Sequence, residues 1–394
     1  MAYNPFAHDT QINPYPVYRW LRDDAPVYHN PDVDFYAISR FDDVLQAHLD
    51  TKTFLSSHGV TIEDSGSASA DLLITKDDPE HNWHRKLVSR VFTPRAIADL
   101  EPAVRRVAAE ALEDARERGE LEVVGELSGY LPMAIIAEML GVPIEVRTQL
   151  RKLSDRALAR PDDGVAETPA DAIAASQEMT MLLLDVVTDI VKHPGDDIAS
   201  MLLEARVTDD EGRQWSLTHE QVAIRLLELA FAGHETTAKL IANGIVALSW
   251  YPDQRRELAE DPGLTGQAVE EMLRWDPPSH FQGRWVEEDV TLHGVTIPAN
   301  SRVVLVTGAA QHDERVFDDP ELFDLHRTVE RHVGFGFGSH LCIGAALARL
   351  ETRVAFEELL CRFPRYEITS PVVRAYSSNV RGLASLPIIL EPTG

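Results

Sequence analysis

Six residues in one short stretch carry the types and spacing of a reactive site. Phe335, Gly336, Gly338, His340, Cys342 and Gly344 form the pattern F-G-x-G-x-H-x-C-x-G. With each residue type used at roughly 5%, such a match arises by chance in a chain of this length with odds on the order of one in a hundred thousand, so the pattern is a built feature. Its cysteine offers a thiolate, a strong metal ligand. Its glycines let backbone take positive φ and approach a flat macrocycle closely. A helix starting near Gly344 would aim amide donors and its positive dipole end at the sulfur, an arrangement expected to hold Cys342 as a thiolate. The combination reads as a haem site with Cys342 as the iron ligand. Thiolate ligation pushes electron density onto iron and favours O–O cleavage, which separates oxygen activation from oxygen carriage. The second cysteine, Cys361, lies beside Leu359, Leu360 and Phe363 and is expected in the core.

Further groups recur at chemically suggestive spacings. Glu271 and Arg274 stand at i and i+3, where one helical face permits an ion pair. His81 and Arg85, at i and i+4 after D-D-P-E, offer paired donors of the kind that two buried carboxylates require. In Ala232-Gly233-His234-Glu235-Thr236-Thr237, Gly233 can relax a helix, Thr236 supplies a hydroxyl and Glu235 an exchangeable acid beside it.

Together these segments resemble the cytochrome P450 family: the cysteine loop, the oxygen-activation motif A/G-G-x-D/E-T-T, the structural Glu–Arg pair and the H-x-x-x-R propionate clamp. The resemblance implies haem b bound by His81, Arg85, Arg284, His340 and the loop residues Phe335, Gly336 and Gly344, with Cys342 as the metal ligand. It implies that Gly233 makes room for dioxygen, that Thr236 and Glu235 are catalytic, and that Arg327 or Arg331 joins Glu271 and Arg274 in folding. The implied activity is an NAD(P)H- and O2-dependent monooxygenase acting on a lipophilic small molecule. With no flavin or iron–sulfur module in the sequence, electrons are expected from a ferredoxin and its reductase, steered by Arg85, Lys86, Arg90 and Arg349. A peroxide-driven peroxygenase and a non-catalytic haem sensor or carrier are the competing readings, and the Glu235–Thr236 pair argues against both. The pocket is expected to draw on Leu72–Ile74, Leu229–Gly233, Ser279–Gln282 and Val380–Leu383, with Ser279, His280 and Gln282 as polar anchors. Trp83 and His84 depart from the family pattern.

The elements that must position these residues are mostly helical. Apolar periodicity predicts helices at 79–92, 95–118, 127–140, 168–193, 217–250 and 343–362, the 217–250 helix being long and apolar enough to cross a core. PVYHN, FYAISR, VTLHGVTIP and RVVLVTG read as strands, and residues 159–172, rich in Pro, Gly and Asp, read as a loop. The fold class is therefore mainly α with small β-sheets, a helical prism holding haem between the long helix and the cysteine helix, expected as a single domain over 1–394. A formal charge of −27, from 37 basic and 64 acidic side chains, opposes nucleic acid and anionic lipid. No leader-like or membrane-spanning stretch is evident, so the expectation is a cytoplasmic monomer.

Overall fold

In the computed structural model, which describes residues 1–63, 71–160, 167–208, 211–377 and 379–391, the longest element is the helix His219–Trp250. It starts on a capping box: Gln221 N–H donates to Thr218 Oγ1 at 3.2 Å, and Thr218 N–H donates to Gln221 Oε1 at 3.0 Å. From Thr237 to Leu248 every residue is buried, so this half is covered on all sides. Gly244 permits that closeness, because a Cβ there would meet Met272 Sδ at 2.6 Å and the Phe356 ring at 2.8 Å. Met272 and Phe356 belong to the helix Thr265–Trp275 and to the cysteine helix Ala345–Arg362, so three helices converge on one glycine.

A five-stranded sheet flanks the helices in the order Val27–Asn30, Phe35–Ile38, Arg302–Leu305, Gln282–Val286, Phe54–Leu55. The first pair is an antiparallel hairpin, Val303 lies parallel to Tyr36, and Val303 opposes Arg284 across an antiparallel pair. The sheet therefore carries Arg284 on an inner strand. A three-stranded sheet joins Arg365–Ile368, Pro387–Glu391 and Glu120–Glu122. Among the described residues no helix is long and apolar enough to cross a membrane.

The predicted helices are present with altered ends. The 79–92 helix is Glu80–Val88 followed by a 3₁₀ turn. The 95–118 helix is two, Pro94–Ala98 and Glu101–Arg118, the second with Pro102 in its first turn. The 127–140 helix begins as π-helical backbone at Val123–Ser128 before Tyr130–Met139. Helices at Tyr15–Asp24, Phe41–Leu49, Ile144–Leu158 and Pro252–Glu260 were not expected. Of the predicted loop, residues 161–166 lie outside the described residues, and helix resumes at Ala170. Cys361 is exposed, a correction to the core expectation: Leu359, Leu360 and Phe363 take the inward positions and the helical turn of 100° per residue carries position 361 outward.

Glu271 and Arg274 have no exposure at all and form a bidentate pair, Nε to Oε2 and Nη2 to Oε1 both at 2.7 Å. Arg274 also donates to the carbonyls of Gln311, Pro320 and Leu322, and Asp324 N–H donates to Glu271. Of the two candidate third members, Arg327 completes the group at 3.3 Å from Glu271, while Arg331 lies over the Phe337 ring. Glu271→Ala strands a buried guanidinium and is expected to cost about 3–5 kcal/mol, read as a lowered urea midpoint. A second expectation concerns acid. Burial holds the His234 and His280 imidazoles at about 4, although Glu235 and Asp276 pull them upward. The unfolded chain takes up those protons near pH 6.5, so stability is full above that value and falls as pH drops from 6.5 toward 4. A urea midpoint unchanged across that window would contradict it.

Candidate active site

The cysteine loop leaves the irregular segment that Glu271 and Arg274 organise. Gly336 and Gly338 take φ of +68° and +71°, and a Cβ on Gly338 would sit 2.9 Å from the His48 carbonyl, so glycine is needed at 338 on both counts. Cys342 N–H donates to the Phe335 carbonyl at 2.9 Å, and Arg85 Nη2 donates to the Leu341 carbonyl at 2.6 Å. The Arg349 guanidinium lies 4.7 Å above the Phe335 ring and pairs with Glu270 at 2.6 Å. Cys342 sits among these groups, facing the Gly344 N–H, Arg85 and Arg349. Burial pushes its thiol up, against opposing pulls from the Gly344 N–H, Arg85 and Arg349. Those three pulls all favour the thiolate that a haem ligand requires.

Beside the loop lies a set of buried donors. His81 is 1% exposed, its Nδ1 without a hydrogen-bond partner, and its ring stacks on His340 at 4.0 Å between centroids. Arg284 is buried without a carboxylate partner; burial pulls it down to about 10, with Asp77 acting against. His340 is pushed to about 2, first by burial and then by His81, Arg284, Arg85 and His48. Asp77, the nearest anion, is spent on the backbone N–H groups of Ser56 and Ser57.

On the long helix, backbone continues without a break through Gly233, and the missing side chain makes room for Ile136, whose Cγ1 would lie 2.9 Å from a Cβ there. Thr236 Oγ1 donates to the Ala232 carbonyl at 2.7 Å, and Ala232 is accessible although the helix crosses the core. Glu235 pairs with Lys239 at 3.0 Å, and Lys239 also donates to the Leu383 carbonyl. Asp155, His234 and Glu235 bring ligand atoms within 4.8 Å of one another, but Lys239 and Arg151 already face this group, so its charge is met without a metal.

The expected pocket segments meet in two pairs, the turn at Leu73–Ile74 with the long helix and Ser279 with Val380. Glu228 on the long helix accepts from Leu73 N–H at 2.8 Å and Ile74 N–H at 2.9 Å. Ser279 bridges Val380, and Leu73 and Leu229 share one apolar cluster. The polar anchors are committed elsewhere: His280 Nδ1 meets the Tyr18 hydroxyl at 2.9 Å, and Gln282 bonds both Ser279 and Thr307. Trp83 and His84 pack against Trp215, a structural reason for their departure from the pattern.

A family model described as Cytochrome P450 matches residues 263–372. A Mycobacterium tuberculosis protein named putative cytochrome P450 123 is 39% identical over 397 residues, covering 99% of this chain and 97% of that one. The chain belongs to the cytochrome P450 family. A Pseudonocardia autotrophica relative named vitamin D(3) 25-hydroxylase is 36% identical over 96% of this chain and 94% of its own length. The crystal structure of Bacillus megaterium CYP109E1 in complex with testosterone superposes with a TM-score of 0.89 at 32% identity, over 97% of this cytochrome P450 and 98% of the other. The protein is thus a haem-dependent monooxygenase, an oxidoreductase whose cofactor is haem b.

The residues present fit that group: Cys342 at the end of its glycine loop, a buried His81 nitrogen without a hydrogen-bond partner, and a buried Arg284 that meets the Gly283 carbonyl but no carboxylate among the described residues, as a group bearing two carboxylates requires. His48, with both ring nitrogens unpartnered, belongs to the same set and escaped sequence reasoning, because one histidine near a helix end carries no pattern. The expected basic island for redox partners is thinner, since Arg85 and Arg349 are committed and only Lys86 and Arg90 of the four remain exposed. Cys342→Ala is expected to abolish the red-shifted Soret band of the ferrous carbon monoxide complex; an unchanged band would remove Cys342 from the site.

Proposed function

We propose that this cytochrome P450 hydroxylates a lipophilic, steroid-sized small molecule, with Cys342 as the iron ligand and His81, Arg85, Arg284 and His340 on the haem carboxylates. Phe335, Gly336 and Gly344 would shape the loop that receives the macrocycle, and Gly233 would leave room for dioxygen on the long helix. The observation that carries this reading is the buried cluster of His81, Arg284 and His340 beside the cysteine loop, with a His81 nitrogen unpartnered and no carboxylate paired to Arg284 among the described residues. The apolar cluster around Leu73 and Leu229, with Ser279, His280 and Gln282 already bonded, supports a substrate held mainly by shape and burial. The substrate class draws further support from the vitamin D and testosterone named for the two similar proteins.

Bound haem supplies the oxygen activation and the insertion of one oxygen atom. The chain supplies the proton path and the dry wall. Thr236 Oγ1, now donating to the Ala232 carbonyl, would hand a proton toward bound haem, and Glu235, paired with Lys239, would take up a proton by way of Asp155 and pass it to Thr236. Asp155 gives the path an exposed outer end, within reach of Glu235 and His234. Retention of an acid and an alcohol supports electron supply from NAD(P)H over direct use of peroxide. A ferredoxin and its reductase are the expected carriers, meeting the face near Lys86 and Arg90. The whole is read as one catalytic domain.

Titration with steroids, terpenoids, fatty acids and macrocycles is expected to give the low- to high-spin absorbance shift with steroids at the lowest concentration. A response confined to another class would overturn the substrate reading. With the responding ligand, Thr236→Ala is expected to keep NADH consumption while product per NADH falls by about 10-fold or more. Unchanged coupling would remove Thr236 from the proton path.

A further inference from the structure

His48 sits near the end of the helix Phe41–Leu49, 3% exposed, and neither of its ring nitrogens has a hydrogen-bond partner. Its position is fixed by the cysteine loop: Cε1 lies 3.7 Å from the Cβ position of Gly336, and its carbonyl closes on Gly338. Buried imidazoles are normally bonded, and a buried donor left alone is costly, so an acceptor is missing from the inventory of side chains around it.

The groups facing it do not supply one. Arg284 acts on His48 directly, and His48 in turn acts on His340, which also feels His81, Arg284 and Arg85. Every one of these is a cation or a potential donor. The carboxylates at the edge are occupied, Asp77 by two backbone N–H groups, and Asp78 lies 3.7 Å from His81. Burial pushes His48 down to about 3, so it is neutral at pH 7 and has one N–H to give. What satisfies such a cluster is concentrated negative charge arriving from outside the polypeptide.

We propose that His48 donates a hydrogen bond to a haem carboxylate, extending the four-residue clamp from the sheet side. This rests on the reading that His81, Arg85, Arg284 and His340 hold those carboxylates. His48 is a positioning residue: it fixes the tilt and charge of the cofactor without touching substrate. The helix Phe41–Leu49 thereby becomes part of the cofactor cradle, and its carbonyl contact with Gly338 ties that cradle to the cysteine loop.

The test uses the ferric holoprotein and two readouts, the rate of haem transfer to excess apomyoglobin and the ferric/ferrous midpoint potential. His48→Leu is expected to release haem about tenfold faster, in line with losing one charge-assisted hydrogen bond, and to lower the potential because the carboxylate is less compensated. His48→Gln, which restores an N–H, is expected to recover most of both. Parent-like behaviour of His48→Leu, or a Gln variant no better than Leu, would overturn the proposal. Where the Leu variant does not accumulate with haem, His48→Met against His48→Gln makes the same comparison. Arg284→Leu in the same assay separates the two levels: if it too releases haem at the parent rate, the clamp itself is wrong, whereas fast release from Arg284→Leu alone condemns only His48.

Discussion

A carboxylate with no access to water sits at the root of this fold. Glu271 is sealed in with Arg274, and together with Arg327 they gather the carbonyls of Gln311, Pro320 and Leu322 and the amide of Asp324. These atoms belong to a stretch with little regular structure, where few backbone groups can satisfy one another. The ion pair stands in for the missing ladder. Because the same stretch delivers the chain into the cysteine loop, the position of Cys342 descends from an interaction that takes no part in the reaction. The desolvation of two charges is offset by the bonds that surround them, which is the condition under which a buried pair stabilises anything.

Electrostatics across the molecule divide by depth. The surface is strongly acidic, yet the space beside the cysteine loop is lined by His48, His81, Arg284 and His340 with hardly an anion uncommitted. Burial keeps the imidazoles neutral, so the region can hold dianionic haem without carrying an unbearable charge when the helices first assemble.

Much of this was legible in the sequence because the relevant residues are bound by short spacing. The cysteine loop, the i, i+3 pair Glu271–Arg274 and the i, i+4 pair His81–Arg85 are read directly from local order, and in the fold Glu271 meets Arg274 while His81 stacks on His340 of the loop. The long helix was legible because apolar residues surround it. What stayed hidden depends on tertiary contact. The helix Ile144–Leu158 is largely polar, and its Asp155 meets Glu235 only through folding. His48 has no sequence signature because its partners lie on a strand and a loop hundreds of residues away. Cys361 was misplaced since apolar neighbours in sequence are not neighbours in space on a helix.

Glu228 couples the Leu73–Ile74 turn to the long helix. Its two oxygens take the backbone amides of Leu73 and Ile74, so the turn that walls the pocket hangs from the long helix rather than from its own chain neighbours. Thr236 lies on that helix about two turns further on. The turn at Leu73 and the hydroxyl of Thr236 thus share one scaffold, and a displacement of either is measured against the same helix axis.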